Sequence, residues 1–524
     1  MDRNVNSFRG GARASQVLRI MLVVALAVHL ASAAFHIFFG ALNVDEGFYS
    51  LAARSVMEGE IPYRDFAYAQ TPLLPYVNGP LLSVTGYGLF QQRAVNGLWA
   101  FLAIVIAGYL VARRTHVVYG ILLASVFSTT PAWMYFVHLG KTYAFVCFAV
   151  MLATWVFLDL KAGWKKYWLL SFLGILGTGC RLPAAPFFAV LWLAAFWQNH
   201  SPSRRDFVVA GAGLGLFSAA LLLPFSLLSP GGSRFWPFAF QLASVLERKW
   251  HVQWDDSFKL APIWWIMLVV IPVLAGLKRR FDRSPEIMVG AAAIVALATN
   301  LLPVGAYEEY GVPFILPLAC AVACTLHALT VNGVVFRRRL VLAVLAALHL
   351  TAPPLLTRYR GTARADLISN WLPSTVPGFD LGLPVSLARA RNVVEQLLPK
   401  GSPFIGPNLI LAVETGRPVP SNLRLGPFTM TRDFDTDKAR QLHLMTYPEL
   451  TSIFEDPAVP LVAFFPAAPF NYNWSVPSFR SQPEAERQQW AELFRRDFLV
   501  VETSSQFLLL GRRNAVLAAP FNQR

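Results

Sequence analysis

The sequence predicts an α-helical polytopic membrane protein of about eleven transmembrane helices, followed by a C-terminal soluble α/β domain. Three observations predict it. Of 524 residues, 55% are hydrophobic and 14% are charged, and the mean hydropathy of +0.47 leaves too little polar surface for a water-soluble fold of this length. Apolar runs of spanning length recur up to Thr357. Basic residues gather in every second gap between those runs, the positive-inside pattern of cytoplasmic loops. They are Arg3, Arg9, Arg13 and Arg19, then Arg113/Arg114, Lys161/Lys165/Lys166, Arg204/Arg205, Lys278/Arg279/Arg280/Arg283 and Arg337/Arg338/Arg339. The net charge of +15 therefore encodes topology, and nucleic acid is excluded as a partner. Collagen-like, disordered and disulfide-stapled classes are excluded too, because Cys147, Cys180, Cys320 and Cys324 lie singly inside apolar runs and read as small buried hydrophobes.

A spanning helix needs about 20 mostly apolar residues. Helices are expected near 18–40, 93–112, 117–138, 141–160, 167–180, 183–199, 207–229, 261–277, 287–306, 312–332 and 340–357. The run at 167–199 is too long for one ordinary span and is broken at Arg181 and Pro183, so it reads as two short helices meeting outside. With a cytoplasmic N-terminus, an odd span number places residues 358–524 on the outer face. The chain divides into a membrane module, 1–357, and an outer α/β domain, 358–524. A cleaved signal peptide is the alternative for the first segment, given Ala31-Ser32-Ala33, but the apolar run continues through Phe38 and Phe39 and suits an anchored span better. In the outer domain helices are expected near 385–398, 446–455 and 483–496. Short β-rich runs lie at 460–465 and 498–502, with a closing hairpin around Ser504-Ser505. Short connecting loops and the lack of an organelle signal favour a bacterial inner (cytoplasmic) membrane over the endoplasmic reticulum.

Two outer segments, 41–92 and 230–260, exceed the length of ordinary connections, and such lengths usually signal function. The first opens Asn43-Val44-Asp45-Glu46-Gly47-Phe48-Tyr49, two adjacent carboxylates directly after a span. Phe48, Leu51, Ala52 and Val56 then recur at helical spacing, with Glu46, Ser50, Arg54 and Glu58 about opposite, which describes an amphipathic helix lying in the interface. Gly59 and Pro62 end it, and proline-punctuated backbone, Gln70-Thr71-Pro72-Leu73-Leu74-Pro75-Tyr76, leads to the second span. The acids also fit a solvated helix N-terminus favoured by the helix dipole, and Lys141, after the turn His138-Leu139-Gly140, fits a headgroup-snorkelling lysine. Arg181, in Gly177-Thr178-Gly179-Cys180-Arg181-Leu182-Pro183, stands where an unpaired charge is expensive. The second loop carries Trp236, Trp250 and Trp254 with His251 and Asp255 at helical spacing. That fits either sugar-holding aromatics or interface anchors, and one histidine with one carboxylate makes no zinc site. There is no phosphate-cradling G-x-x-x-x-G-K-[ST] loop, no G-x-S-x-G elbow and no H-E-x-x-H. Asn473-Trp474-Ser475 fits a glycosylation sequon, a frequent chance match.

The arrangement D-E-x-x-Y over Asp45–Tyr49, a short helix, G-x-x-P-Y-x-D over Gly59–Asp65 and P-L-L-x-Y over Pro72–Tyr76 resembles the first outer loop of GT-C glycosyltransferases. It is most similar to the group of dolichyl-phosphate-mannose–protein mannosyltransferases and bacterial lipid A aminoarabinose transferases. The resemblance is close in that loop and looser in the many-span layout with an outer C-terminal domain. It implies inverting sugar transfer from a polyprenyl-phosphate donor to an acceptor hydroxyl of a glycan, lipid or protein outside the cytoplasm. Asp45 matches the family's catalytic aspartate, with Glu46 beside it. The leaving lipid phosphate needs cations, for which Lys141, Arg181, Arg64 and Arg93 are the candidates. Tyr49, Tyr63, Trp254, Glu308, Glu309 and Tyr310 are candidates for substrate contact. Two departures stand out. Tyr307-Glu308-Glu309-Tyr310, before Val312-Pro313, carries glutamates where members often carry basic residues, and so meets a polar acceptor or a cation, or is a solvated turn. Gly140-Lys141-Thr142-Tyr143 lacks the acidic residue that helps several relatives hold a divalent metal. The expectation is therefore metal-independent transfer with no cofactor, Lys141 supplying the positive charge. The rival readings are a transporter or lipid flippase, and a non-catalytic member that binds lipid-linked sugar.

Overall fold

The computed structural model describes residues 5–199, 202–241, 284–301, 308–331, 379–432, 434–466 and 483–518. Its helical part comprises α1 (Val5–Phe39), α2 (Glu46–Met57), α3 (Leu73–Thr85), α4 (Leu89–Arg114), α5 (Val117–Thr129), α6 (Pro131–His138), α7 (Tyr143–Asp159), α8 (Trp164–Cys180), α9 (Ala185–Gln198), α10 (Arg204–Leu228), α11 (Pro230–Arg234), α12 (Pro285–Leu301) and α13 (Val312–Val331). Within these, Gln16–Phe39, Leu89–Arg114 and Arg204–Leu228 are long and apolar enough to cross a membrane, and shorter apolar helices accompany them. Expected spans at 261–277 and 340–357, the boundary at 357/358, Trp250, His251, Trp254, Asp255 and Asn473 all lie outside the described residues.

Local sequence sets the breaks. The stretch 117–138, expected as one helix, is two: Thr130 precedes Pro131, whose ring disfavours helical backbone in the residue before it, and Thr130 is extended at φ −80°, ψ 104°. Arg181 is likewise extended, at φ −157° and ψ 108°, and separates α8 from the 3-10 turn Leu182–Ala184 and α9. Ser203 caps α10 through a reciprocal capping box with Asp206. The basic ends of the helices are neutralised at one end of the bundle, where Arg114 pairs with Glu286 at 2.5 Å and Asp159 at 3.3 Å, and Arg113 pairs with Asp159 at 2.9 Å. The opposite ends of α4, α7 and α13 face α2 and the first outer loop.

The C-terminal region contains α14 (Leu383–Leu397), α15 (Leu409–Glu414), β1 (Met430–Thr431), α16 (Thr436–Gln441), β2 (Met445–Thr446), α17 (Tyr447–Glu455), β3 (Leu461–Phe464), α18 (Glu484–Asp497), β4 (Phe498–Thr503), β5 (Leu508–Arg512) and α19 (Arg513–Ala518). The hairpin expected around Ser504-Ser505 forms as β4–β5, and β3 adds to it antiparallel in the order β3-β5-β4. Helices α17 and α18 pack on this sheet through Phe454, Trp490, Phe494 and Phe464. Beside it β1 and β2 form a short parallel pair.

This region sits on the first outer loop, which corrects the expectation that α2 lies in the lipid interface. Ten residues of α2 are buried, Glu46 and Ser50 among them, because α15 covers one face while α3 and α4 cover another. The approach is close enough to require glycine: a Cβ on Gly47 would stand 2.5 Å from the Ile410 nitrogen. Arg54 donates to the Arg417 carbonyl at 2.9 Å, Arg424 bonds Glu60 and the Ser55 hydroxyl, and the Glu414 carboxylate accepts the Leu89 N–H at 2.7 Å at the start of α4. The proline-rich approach to the second span is itself helical in α3, with Pro80 inside the helix.

Candidate active site

The site is assembled at the outer-loop end of the bundle, around the connection Leu139–Thr142 between α6 and α7. Two buried polar residues on one face of α4 hold that connection from below. Gln92 donates to the Gly140 carbonyl at 2.9 Å, and Asn96 donates to the Leu139 carbonyl and, at 3.1 Å, to the Lys141 carbonyl. Asn96 is in turn bonded by Asn78, which accepts from Trp99. A Cβ at Gly140 would displace the Gln92 amide that bonds its carbonyl, and the Gly140 N–H donates to Glu46 at 2.9 Å.

Lys141, so fixed, extends its ammonium to 2.8 Å from Asp45 Oδ2 and 3.1 Å from Glu309 Oε1. Burial alone would lower the Lys141 pKa, but Asp45 and Glu309 more than offset it and hold the ammonium well above the usual lysine value. Tyr143, at the start of α7, donates its hydroxyl to the same Glu309 oxygen at 2.6 Å. Arg181 is buried between two phenol faces, its guanidinium 4.8 Å from the Tyr143 ring and 4.6 Å from the Tyr310 ring, the geometry of a cation–π sandwich. One of its N–H groups donates to the Thr142 hydroxyl at 3.3 Å. Asp45 is half-buried, its backbone N–H held by Asn43 at 3.1 Å, and its second oxygen, Oδ1, is buried with no hydrogen-bond partner. Tyr49, one turn into α2, is buried against Phe48 and Tyr68. Burial, with Asp45 adding to it, raises its phenol above the ordinary tyrosine value.

The structure thus brings Asp45, Tyr49, Lys141, Arg181, Glu309 and Tyr310 together, and it gives the other described candidates, Glu46, Arg93, Arg64 and Tyr63, different partners. Glu46 and Arg93 are corrections. Both are fully buried and spent on each other, with Arg93 Nε and NH2 2.8 and 2.7 Å from the two Glu46 oxygens. The remaining N–H groups of Arg93 meet the carbonyls of Ile37, Gly40 and Ala41. Glu46 completes its own set with the N–H groups of Asn43 and Gly140. A guanidinium has five N–H donors, and none is left for a phosphate. The pair pins α1, α2, α4 and the Lys141 connection to one another. Arg64 is exposed and forked onto Asp65 at 2.9 and 2.7 Å. That hydrogen bond holds the Asp65 carboxyl below the usual aspartate range. Tyr63, with φ 71°, is buried beside Phe225, its carbonyl accepting from Ser229 at 2.9 Å, so it belongs to the seam between the loop and α10. Glu308 opens the 3-10 turn Glu308–Gly311 but its side chain, like Trp254, lies outside the described residues. Sequence reasoning missed Tyr143, Gln92 and Asn96. The signal was present in α4, where Gln92, Arg93 and Asn96 put three polar groups on one face at the end of an apolar span.

Among the described residues no three His, Cys, Asp or Glu side chains gather as a metal-holding group. The donor set at Asp45 does not suit a divalent ion, because an ammonium already stands between the two carboxylates that could ligate one.

This chain, a helical bundle with an acid beside two buried cations beneath an α/β layer, has the GT-C fold, and three of its described helices are long and apolar enough to cross a membrane. Among solved structures it is similar to ArnT from Cupriavidus metallidurans in the apo state, with a TM-score of 0.59 and 14% identity over 97% of this chain and 100% of that one. It is also similar to ArnT from the same organism bound to undecaprenyl phosphate, with a TM-score of 0.58 and 13% identity over 95% and 98%. No family model and no curated protein matches the sequence.

Proposed function

We propose that the chain is an inverting glycosyltransferase that moves a sugar from a polyprenyl-phosphate donor to an acceptor hydroxyl at the outer face of a bacterial inner membrane. The N-terminus is then cytoplasmic, and the region from about residue 358 caps the site. The observation that carries this reading is the single cluster of a half-buried carboxylate, Asp45, with two buried cations, Lys141 and Arg181. The likeness to ArnT, solved with undecaprenyl phosphate, supports it.

The chemistry needs a base for the acceptor and a charge partner for the leaving group. Asp45 Oδ1 accepts the acceptor O–H while Lys141 fixes Oδ2, so the carboxylate faces one way. The acceptor oxygen attacks the anomeric carbon, the bond from that carbon to the phosphate oxygen breaks, and the lipid phosphate leaves with the electron pair. Arg181 and Lys141 face that growing charge. Lys141 takes the electrostatic part that a divalent ion would otherwise play, so transfer is metal-independent. Transfer rates in EDTA are expected to equal those in magnesium or manganese within about twofold, since removal of a metal that stabilises leaving-group charge costs several kcal/mol. Loss of activity in EDTA with recovery in magnesium would contradict this.

Arg181→Lys is expected to lower transfer by tenfold or more, because an ammonium presents no flat face to Tyr143 and Tyr310 and cannot fork onto a phosphate. Initial rates over a donor titration measure it, and an unimpaired lysine variant would remove Arg181 from the site. The reading as a whole is tested with purified protein in nanodiscs and a panel of radiolabelled undecaprenyl-phosphate sugars. Label appearing on an acceptor supports it, and facilitated lipid movement without transfer supports a flippase instead.

A further inference from the structure

Glu309 is the group that the proposed reaction does not use, and it is placed where it should do harm. Its carboxylate lies 3.1 Å from the Lys141 ammonium and accepts from Tyr143, whose ring also faces Arg181. A second acid beside a phosphate subsite weakens phosphate binding. The two cations Lys141 and Arg181 are matched one for one by Asp45 and Glu309, so the cluster carries no net charge.

We infer that Glu309 sets the charge of the phosphate subsite so that the lipid phosphate formed by transfer is not held more tightly than the donor, and is thereby a product-release residue. The inference rests on the proposed donor site at Lys141 and Arg181. The charges behind it follow from the reaction. The donor is a phosphodiester with one negative charge. When its sugar–oxygen bond breaks, the electron pair stays with the phosphate, which becomes a monoester with two negative charges above about pH 6. The acceptor proton passes to Asp45, which becomes neutral. At that moment the protein cluster is one unit positive and grips the product. Once Asp45 gives its proton to water, Asp45 and Glu309 again balance the cations, and the grip relaxes. Without Glu309 the cluster would stay one unit positive after proton loss and retain the doubly charged lipid.

Among the described residues, the groups around Glu309 are Asp45 just before α2, Tyr49 in α2, Tyr135 from α6, Lys141 from the connection, Tyr143 from α7, Arg181 after α8 and Tyr310 in its own turn, and Asp45 is the one other acid among them.

The test compares equilibrium binding of undecaprenyl phosphate, a monoester, with undecaprenyl methyl phosphate, a diester of constant charge, at pH 8 and pH 5. Wild type is expected to bind the two within about threefold at pH 8. Glu309→Gln is expected to prefer the monoester by about tenfold or more at pH 8, the scale set by one added unit charge at close range. That preference should vanish at pH 5, where the monoester has gained a proton. Glu309→Asp, keeping the charge, is expected to behave as wild type. A wild-type preference for the monoester above tenfold at pH 8 overturns the inference without any variant, and so does a Glu309→Gln protein whose two affinities stay equal. If wild type binds neither phosphate better than undecaprenol, the phosphate site itself is wrong and the inference falls with it.

Discussion

Asp45→Asn is expected to lower the transfer rate by about 10²- to 10⁴-fold, the range usual for loss of a positioned general base, while undecaprenyl phosphate still binds, at pH 8 about tenfold more tightly than to wild type, because the cluster gains one net positive charge as in Glu309→Gln. The split follows from where the side chain stands. Its Oδ2 touches Lys141 and its buried Oδ1 has no partner, so the carboxylate is held by the protein on one side and unpartnered on the other. Asparagine keeps the shape but cannot take a proton. Lys141 retains Glu309 as its second anion, so the cation remains seated for the lipid phosphate. Single-turnover transfer beside an equilibrium lipid-binding assay measures both halves. A variant that transfers at wild-type rate would remove Asp45 from the chemistry. One that loses lipid binding and transfer equally would make it a structural partner of Lys141 instead.

Arg93→Ala is expected to destabilise the protein by about 3–5 kcal/mol, the usual cost of leaving a buried ion without its partner. Here the stranded group is Glu46, wholly buried with both oxygens aimed at the missing guanidinium. The carbonyls of Ile37, Gly40 and Ala41 lose their donor at the same time. Glu46→Gln should be similarly costly. These effects appear as loss of folded protein in detergent, measured by thermal unfolding with size-exclusion chromatography, and transfer falls only in proportion to folded material. Replacing both residues by apolar ones, Glu46→Leu with Arg93→Met, should recover a large part of the stability, as buried pairs often allow. A stable Arg93→Ala protein that had lost only lipid binding would restore Arg93 to the phosphate site.

The contrast between residues 45 and 46 shows what the sequence carried and what it withheld. Two adjacent carboxylates after a span look alike in one dimension. On a helix N-terminus they point about 100° apart, and only tertiary packing decides which one meets Lys141 and which one meets Arg93. Arg93 read as a phosphate ligand because it opens an apolar run, the place where a lone cation is conspicuous. Its partners come from residues some fifty positions away, beyond the reach of periodicity. The helix break was legible because Arg181 and Pro183 interrupt their apolar run locally, and the ends of α7 and α10 because the basic clusters at 161–166 and 204–205 bound theirs. Pro131 also acted locally, yet the apolar continuity of 117–138 hid it. The burial of α2 was illegible for a different reason: its polar face, with Ser55 and Arg54, is covered by carbonyls and side chains of the C-terminal region more than 360 residues away. Polar positions covered by another part of the chain look the same in sequence as positions covered by water.

The most direct measurement is a cryo-EM structure of the protein in nanodiscs with undecaprenyl phosphate. The account places the phosphate within hydrogen-bond reach of both the Lys141 ammonium and the Arg181 guanidinium, on the side of Asp45 that Oδ1 faces, with the isoprenoid running out between helices into the bilayer. Phosphate density seated on Arg64 or elsewhere along the outer surface, with the Asp45–Lys141–Glu309 cluster undisturbed and empty of lipid, would contradict it.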